Sequence, residues 1–196
     1  MAQGVPLSCA RATRGSLIYQ TERLLMPPCV FFRAHMVEYS VEFSREMATA
    51  GAALLRTSPH SSERDRAAIY IALVACEVAL KSALEKAGED VKNIRKISHD
   101  FSALLDHLGA CTVLEVIPPI GAQRVPASRI RAVVVNAQYT NATIGHLLCA
   151  EDVGASKYPN QVRYGKILKQ FPAEVMIELA DKVVSWVELH RNDIRK

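Results

Sequence analysis

From residue 36 onward, apolar side chains recur at three- and four-residue steps, the spacing of amphipathic α-helices. Residues 64–88 are apolar on most sides of the helical wheel, which predicts a central helix covered by several neighbours. Residues 36–57 and 172–190 each carry one apolar stripe opposite a charged face. The pattern therefore predicts a long helix in each of these three segments, and the helix over residues 64–88 is expected to be central and covered by several neighbours.

Between the long helices the pattern is less regular. Residues 98–109 place Phe101 and three leucines at helical spacing after Ser98 or Asp100, either of which can cap a helix. Residues 110–127 contain three prolines and are interpreted as a long loop or a broken short helix. Residues 127–149 are interpreted as a helix, although three consecutive valines make a strand conceivable, because no neighbouring segment offers a partner strand.

We therefore predict an all-α fold: a single antiparallel helical bundle of about five helices over residues 36–196. Residues 1–35 are predicted to be a poorly ordered N-terminal extension, rich in arginine and interrupted by two adjacent prolines. With 49% apolar and 22% charged residues, the composition is typical of a soluble globular domain.

Composition argues against several classes of protein. The five cysteines are scattered and odd in number, and the six histidines do not cluster with them, so we expect a reducing compartment, no structural metal and no cofactor. The longest apolar run, residues 67–80, is too short to span a bilayer and contains Glu77. A cytoplasmic protein without a membrane segment is the expectation.

Positive charge is concentrated in one part of the chain. Residues 122–170 hold seven basic residues against Glu151 and Asp152, although the net charge of the whole chain is only +4. Such a stretch attracts phosphate-rich partners, and it is also typical of a solvated, solubilising face.

The segment SKYPNQVRYG, residues 156–165, is the candidate ligand site because it combines Lys157, Tyr158, Arg163 and Tyr164 in one loop. Arginine can bind a phosphate through two parallel hydrogen bonds, and tyrosine rings can stack on bases. In the alternative interpretation, the tyrosine rings cover the end of the bundle and Arg163 caps helix carbonyls.

Two further groups carry candidate chemistry. Glu77 and Lys81 lie four residues apart on the central helix, which favours a structural ion pair; a less favoured interpretation places Glu77 in a cleft with Arg163. His99 and Asp100 could supply acid–base groups, but their position at a predicted helix start favours capping.

The order of three segments resembles the HEPN superfamily (higher eukaryotes and prokaryotes nucleotide-binding domains). The segment ALVACEVALKSALEKAG is similar to the family helix of the type A-x-x-A-x-E-x-x-L-K, and HDFSALLDHL is similar to the next helix, which a histidine–acidic pair opens. A family loop of the type RYP is represented by Lys157-Tyr158-Pro159 together with Arg163-Tyr164. The resemblance covers about residues 36–194.

The resemblance implies a helical bundle that forms a homodimer and binds RNA, nucleotides or a partner protein, or acts as a ribonuclease, in toxin–antitoxin or defence systems. Catalytic members carry arginine followed by histidine after four to six residues, and no histidine of this chain has that spacing. We therefore expect a non-catalytic module. The alternatives are a metal-independent endoribonuclease that uses Arg163 with His99 or His190, and a helical scaffold for protein interactions unrelated to nucleic acid.

Overall fold

The computed structural model describes residues 37–139, 141–150, 152–153, 155, 158–164 and 171–196. These residues belong to one compact unit that is mainly α-helical and also contains a small antiparallel sheet. The predicted N-terminal extension, residues 1–35, lies outside the described ranges. The helical class is therefore confirmed, whereas the prediction of an all-α fold needs a correction for the sheet.

The elements follow the chain in a simple order. The α-helices are α1 (Val41–Thr57), α2 (Ser62–Lys86), α3 (Val91–Ile97), α4 (Phe101–Gly109), α5 (Ile144–Cys149), α6 (Asn160–Arg163) and α7 (Ala173–His190). Between α4 and α5 lie strands β1 (Thr112–Ile117) and β2 (Gly121–Pro126), followed by a 3-10 helix (Ala127–Ala132). Within the described residues, three long helices are thus joined by short elements instead of by further long helices.

Helix α2 is the centre of the fold, as its pattern predicted. It packs against α1 and α7, which also contact each other, and against α4. Most of its length is buried, including Leu73, Leu80 and Leu84. By length and composition α2 also passes as a candidate membrane span, but 72% of its most apolar window is buried inside the protein, as in the core helix of a soluble protein.

Side-chain caps set the starts of the helices. Ser40, Ser61 and Asp100 each accept a hydrogen bond from a backbone N–H in the first turn of the following helix. Helix α1 begins at Val41, five residues later than predicted, because the carboxylate of Glu85 accepts the backbone N–H groups of residues 38 and 39 and holds them outside the helix.

The segment predicted as a loop or broken helix is a β-hairpin, so that prediction was wrong. Strands β1 and β2 pair antiparallel, with Val113 opposite Val125 on the buried side and Leu114 opposite Arg124 on the exposed side. The prolines that suggested a loop lie in the turn and at the end of β2, where a missing N–H removes no ladder bond. Gly121, with φ +91°, adopts the turn conformation that suits glycine.

The prediction of a single helix over residues 127–149 was also wrong. The first six residues form the 3-10 helix, and among the described residues of this range only Ile144–Cys149 is α-helical. Between these pieces Val134 forms an isolated β-bridge with Thr143, and the backbone N–H of Val135 donates to the carbonyl of Ala142. Val133 is extended, and the three β-branched valines find backbone partners only seven to eleven residues further along the chain.

Candidate functional site

The candidate segment of residues 156–165, here called the tyrosine loop, contacts helices α2 and α4 through Tyr158. Its ring is only 7% exposed and packs against three aromatic side chains. The ring centroids lie 5.7 Å from Tyr70 on α2, 5.9 Å from His99 and 5.4 Å from Phe101 on α4. Segments far apart in sequence therefore meet around one tyrosine, which the loop pattern alone did not indicate.

A chain of polar groups lies next to Tyr158. Lys81 Nζ donates to Glu77 Oε1 over 2.7 Å, and His99 Nδ1 lies 2.9 Å from Glu77 Oε2. The Glu77 and Lys81 side chains are each only 8% exposed, whereas the His99 side chain is 48% exposed. The predicted ion pair is present, and the buried carboxylate also connects it to an imidazole that reaches solvent.

His99 is free for this contact because Asp100, not His99, caps α4. A carboxylate accepts hydrogen bonds and donates none, so the Glu77 contact keeps the proton of neutral His99 on Nδ1. The other ring nitrogen, Nε2, is then left as the acceptor. The capping interpretation of the His99–Asp100 pair is therefore correct for Asp100 alone.

Burial raises the pKa of the Tyr158 hydroxyl, and the nearby negative charge of Glu77 raises it further. A raised pKa favours the neutral phenol, so Tyr158 keeps its proton at neutral pH and through the alkaline range in which an exposed tyrosine would ionise. The cluster therefore contains a neutral phenol beside a carboxylate.

Arg163, at the end of α6, is positioned by Tyr70. Its Nη2 donates to the Tyr70 hydroxyl over 2.7 Å, and its guanidinium carbon lies 5.6 Å from the centroid of the Tyr70 ring. The Arg163 residue is exposed, and the adjacent Tyr164 is 77% exposed. The structure thus orients one face of the guanidinium and leaves the group accessible, while the predicted Lys157 lies outside the described residues.

The other described arginines of the basic stretch have structural partners. Arg129 pairs with a carboxylate of β1, Arg131 pairs with one of α4, and Arg124 donates to the carbonyl of Asp193. Among the described basic residues of 122–170, Arg163 is the one with neither a carboxylate nor a carbonyl partner. Of the four basic residues of this stretch that the structure describes, three are thus engaged within the protein and Arg163 is oriented towards solvent.

A surface cavity of about 350 Å³ opens beside Arg163, between the first turns of α2 and α6. Among the described residues, its lining comprises two arginines, a carboxylate, a phenol and two apolar side chains: Glu63, Arg66, Ala67, Tyr70, Val162 and Arg163. Sequence reasoning missed Arg66 and Tyr70 as site residues. Tyr70 lies within residues 64–88, whose pattern is apolar on most sides, and its hydroxyl becomes part of a site only because Arg163 reaches it from a distant segment.

His190 belongs to another part of the molecule. It is 4% exposed at the end of α7, its ring lies 4.6 Å from that of Trp186, and its Nδ1 is 3.8 Å from Asp193 Oδ1. His190 Nδ1 and Asp193 Oδ1 are both buried, and neither has a hydrogen-bond partner among the described residues. Of the two predicted weak catalytic candidates, the structure places only His99 in the cluster around Tyr158.

The described parts of the chain contain no group of three or more histidine, cysteine, aspartate or glutamate side chains able to hold a metal ion. Comparisons with models of protein families, with curated proteins and with solved structures find no match. Any functional assignment must therefore be argued from the geometry of this chain.

Proposed function

We propose that this chain is a HEPN-like helical module that binds RNA without cleaving it, and that Arg163 is the main phosphate contact. The proposal rests on one observation: Tyr70 holds an exposed guanidinium that has no acidic partner among the described residues. Guanidinium groups bind phosphate oxygens through two parallel hydrogen bonds, and loss of water from the exposed face costs little. A mainly helical fold with the three family-like segments in order is consistent with this assignment.

The aromatic groups near Arg163 fit a single-stranded ligand. Tyr164 is exposed next to the guanidinium and offers a face on which a base can stack. Stacking tolerates any base, since every base has a π-face, so we expect weak sequence preference and a preference for unpaired RNA. Free nucleotides carry the same phosphate and base groups as RNA and are smaller ligands that could bind in the same way.

Arg163→Ala should weaken RNA binding about ten- to a hundredfold, the range expected for removing charged hydrogen bonds to phosphate. The measurement is a gel-shift titration of purified protein with labelled single-stranded and structured RNA at fixed salt concentration. Arg56→Ala is the matched control, because it removes an exposed arginine of α1 that does not line the cavity. Equal loss in both variants would show a diffuse charge effect and contradict the assignment to Arg163.

The proposal also covers the oligomeric state, the cellular location and the biological context of the protein. A homodimer acting in a toxin–antitoxin or defence context is what the family resemblance implies, and a cytoplasmic location is what the cysteine pattern favours. The described cysteines Cys76, Cys111 and Cys149 have free thiols, which is compatible with a reducing compartment. Light scattering at several protein concentrations would measure the oligomeric state, and a monomer throughout the range would contradict the dimer.

A second candidate function, a metal-independent endoribonuclease, is favoured by the contact between Glu77 and His99. A buried carboxylate that orients a half-exposed imidazole is an arrangement used for general bases. In such a reaction His99 Nε2 would take the proton of a ribose 2′-hydroxyl, and the 2′-oxygen would bond to the adjacent phosphorus as the P–O5′ bond breaks, leaving a 2′,3′-cyclic phosphate. A water molecule would protonate the leaving 5′-oxygen, and Arg163 would stabilise the charge on the attacked phosphate.

If this second function is correct, His99→Ala should lower RNA cleavage about a hundredfold, the lower end of the effect of a general base. The assay follows labelled RNA by denaturing gel in the presence of EDTA. His60→Ala, which changes an exposed histidine in the α1–α2 connection, is the matched control. Intact RNA after long incubation with wild-type protein would exclude the nuclease, and cleavage abolished by His99→Ala would instead overturn the non-catalytic proposal.

A further inference from the structure

We propose that the cavity between α2 and α6 binds a terminal phosphate group, at the end of an RNA strand or on a free mononucleotide, between Arg66 and Arg163, and that Glu63 competes with this phosphate for Arg66. The inference rests on the proposed function insofar as Arg163 contacts phosphate. It adds Arg66 as a second cation, a terminal phosphate as the ligand, and Glu63 as a carboxylate that competes with that phosphate.

The helical spacing of α2 brings three of the lining side chains together. Glu63, Arg66 and Tyr70 lie three and four residues apart, so they follow one another along the same face of the helix. Tyr70 in turn holds Arg163 from the other side of the cavity. The two guanidinium groups therefore line one cavity although they are 97 positions apart in the chain.

A terminal phosphate can bind two guanidinium groups more favourably than an internal phosphate can. A phosphomonoester has three non-bridging oxygens and a charge of about −1.5 to −2 near neutral pH. An internal phosphodiester has two such oxygens and a single charge, which one arginine can satisfy. At about 350 Å³ the cavity is in the size range of small-molecule sites, which admits one nucleotide but not a folded strand.

The apolar side chains of the cavity can contact the sugar or base that carries the phosphate. Ala67 and Val162 form an uncharged wall beside the two arginines. A sugar or base attached to the phosphate can bury apolar surface against this wall, which inorganic phosphate cannot do. A mononucleotide should therefore bind more tightly than inorganic phosphate.

Glu63 is the competitor. Its carboxylate forms an ion pair with Arg66 three residues further along α2, and the Glu63 side chain is 70% exposed. An exposed ion pair of this kind contributes little to stability, so a phosphate can displace the carboxylate from the guanidinium. Removing the charge of Glu63 should strengthen phosphate binding, an effect opposite in sign to the removal of Arg66.

The test is a fluorescence anisotropy titration with RNA 10-mers of one sequence and an internal label, bearing either a phosphate or a hydroxyl at the 5′ end or at the 3′ end. Wild-type protein should bind one phosphorylated end about tenfold or more tightly than the matching hydroxyl end, as for one charged hydrogen-bond pair. Arg66→Gln should abolish that difference, and Glu63→Gln should raise affinity for the phosphorylated end several-fold.

Two variants with the same changes of charge outside the cavity serve as controls. Arg56→Gln and Glu46→Gln alter exposed residues of α1 that do not line the cavity, and they should leave the preference for a phosphorylated end unchanged. If Glu46→Gln strengthens binding as much as Glu63→Gln, net charge explains the effect and the competition is refuted. Circular dichroism and melting temperature check that each variant folds.

The outcomes separate this inference from the proposed function. Equal binding of phosphate and hydroxyl ends, with RNA binding still dependent on Arg163, overturns the inference and leaves the RNA-binding proposal intact. Binding of adenosine monophosphate that depends on Arg66, without binding of any 10-mer, supports the inference with a free nucleotide as the ligand and overturns RNA binding. Absence of binding to 10-mers, mononucleotide and inorganic phosphate overturns both.

Discussion

Lys81→Met should lower the free energy of unfolding by about 3–5 kcal/mol, because it leaves the buried carboxylate of Glu77 without its cation. The two charged atoms are 2.7 Å apart, and both side chains are only 8% exposed. Methionine keeps most of the volume of lysine, so a packing defect adds little to the loss. Urea denaturation followed by circular dichroism measures the difference.

Two further variants serve as controls in the same denaturation experiment. Glu77→Gln combined with Lys81→Met removes both charges and should recover much of the stability, since a buried ion pair is often replaceable by neutral groups. Lys86→Met changes an exposed lysine at the end of the same helix and should cost less than about 1 kcal/mol. An equally small cost for Lys81→Met would mean that His99 alone compensates the Glu77 charge, contrary to this account.

Phe101→Ala should cost about 3–5 kcal/mol, the range for removing a buried aromatic ring. The ring is 1% exposed at the start of α4, and its centroid lies 5.4 Å from that of Tyr158. The substitution removes apolar contact area and leaves a cavity beneath the tyrosine loop. Thermal and urea denaturation measure the loss, and Phe43→Ala, at a phenylalanine that is 51% exposed, should cost far less.

Phe101 also links stability to the site. Because its ring supports Tyr158, which packs on Tyr70, the substitution should loosen the group that orients Arg163. RNA affinity should therefore fall in Phe101→Ala under conditions where the protein is still folded. Unchanged affinity in folded Phe101→Ala would show that the Arg163 geometry does not depend on the aromatic cluster.

Part of the candidate site could be predicted from sequence. Glu77 and Lys81 are four residues apart within a helix, so their pairing follows from local geometry. The tyrosine loop stood out because it combines aromatic and basic residues between apolar runs. Asp100 as the cap of α4 was likewise one of two local possibilities, and its side chain makes the predicted contact with the backbone.

The partners of these residues could not be predicted in the same way. His99 reaches Glu77 across 22 positions, and Arg163 reaches Tyr70 across 93. A periodic pattern assigns Tyr70 to an apolar face without indicating what its hydroxyl meets. The same limit explains the hairpin: residues 112–117 become a strand because residues 121–126 pair with them, and the pairing outweighed the proline signal.

The three long helices, the central position of α2 and the cap of α4 follow from the sequence alone. These features depend on residues within one or two turns, where spacing and side-chain chemistry act directly. The break of residues 127–149 into separate pieces and the meeting of His99, Tyr158 and Arg163 at α2 depend instead on tertiary contacts. Those outcomes depend on contacts between distant segments, which form when the chain buries its apolar faces and which no local pattern specifies.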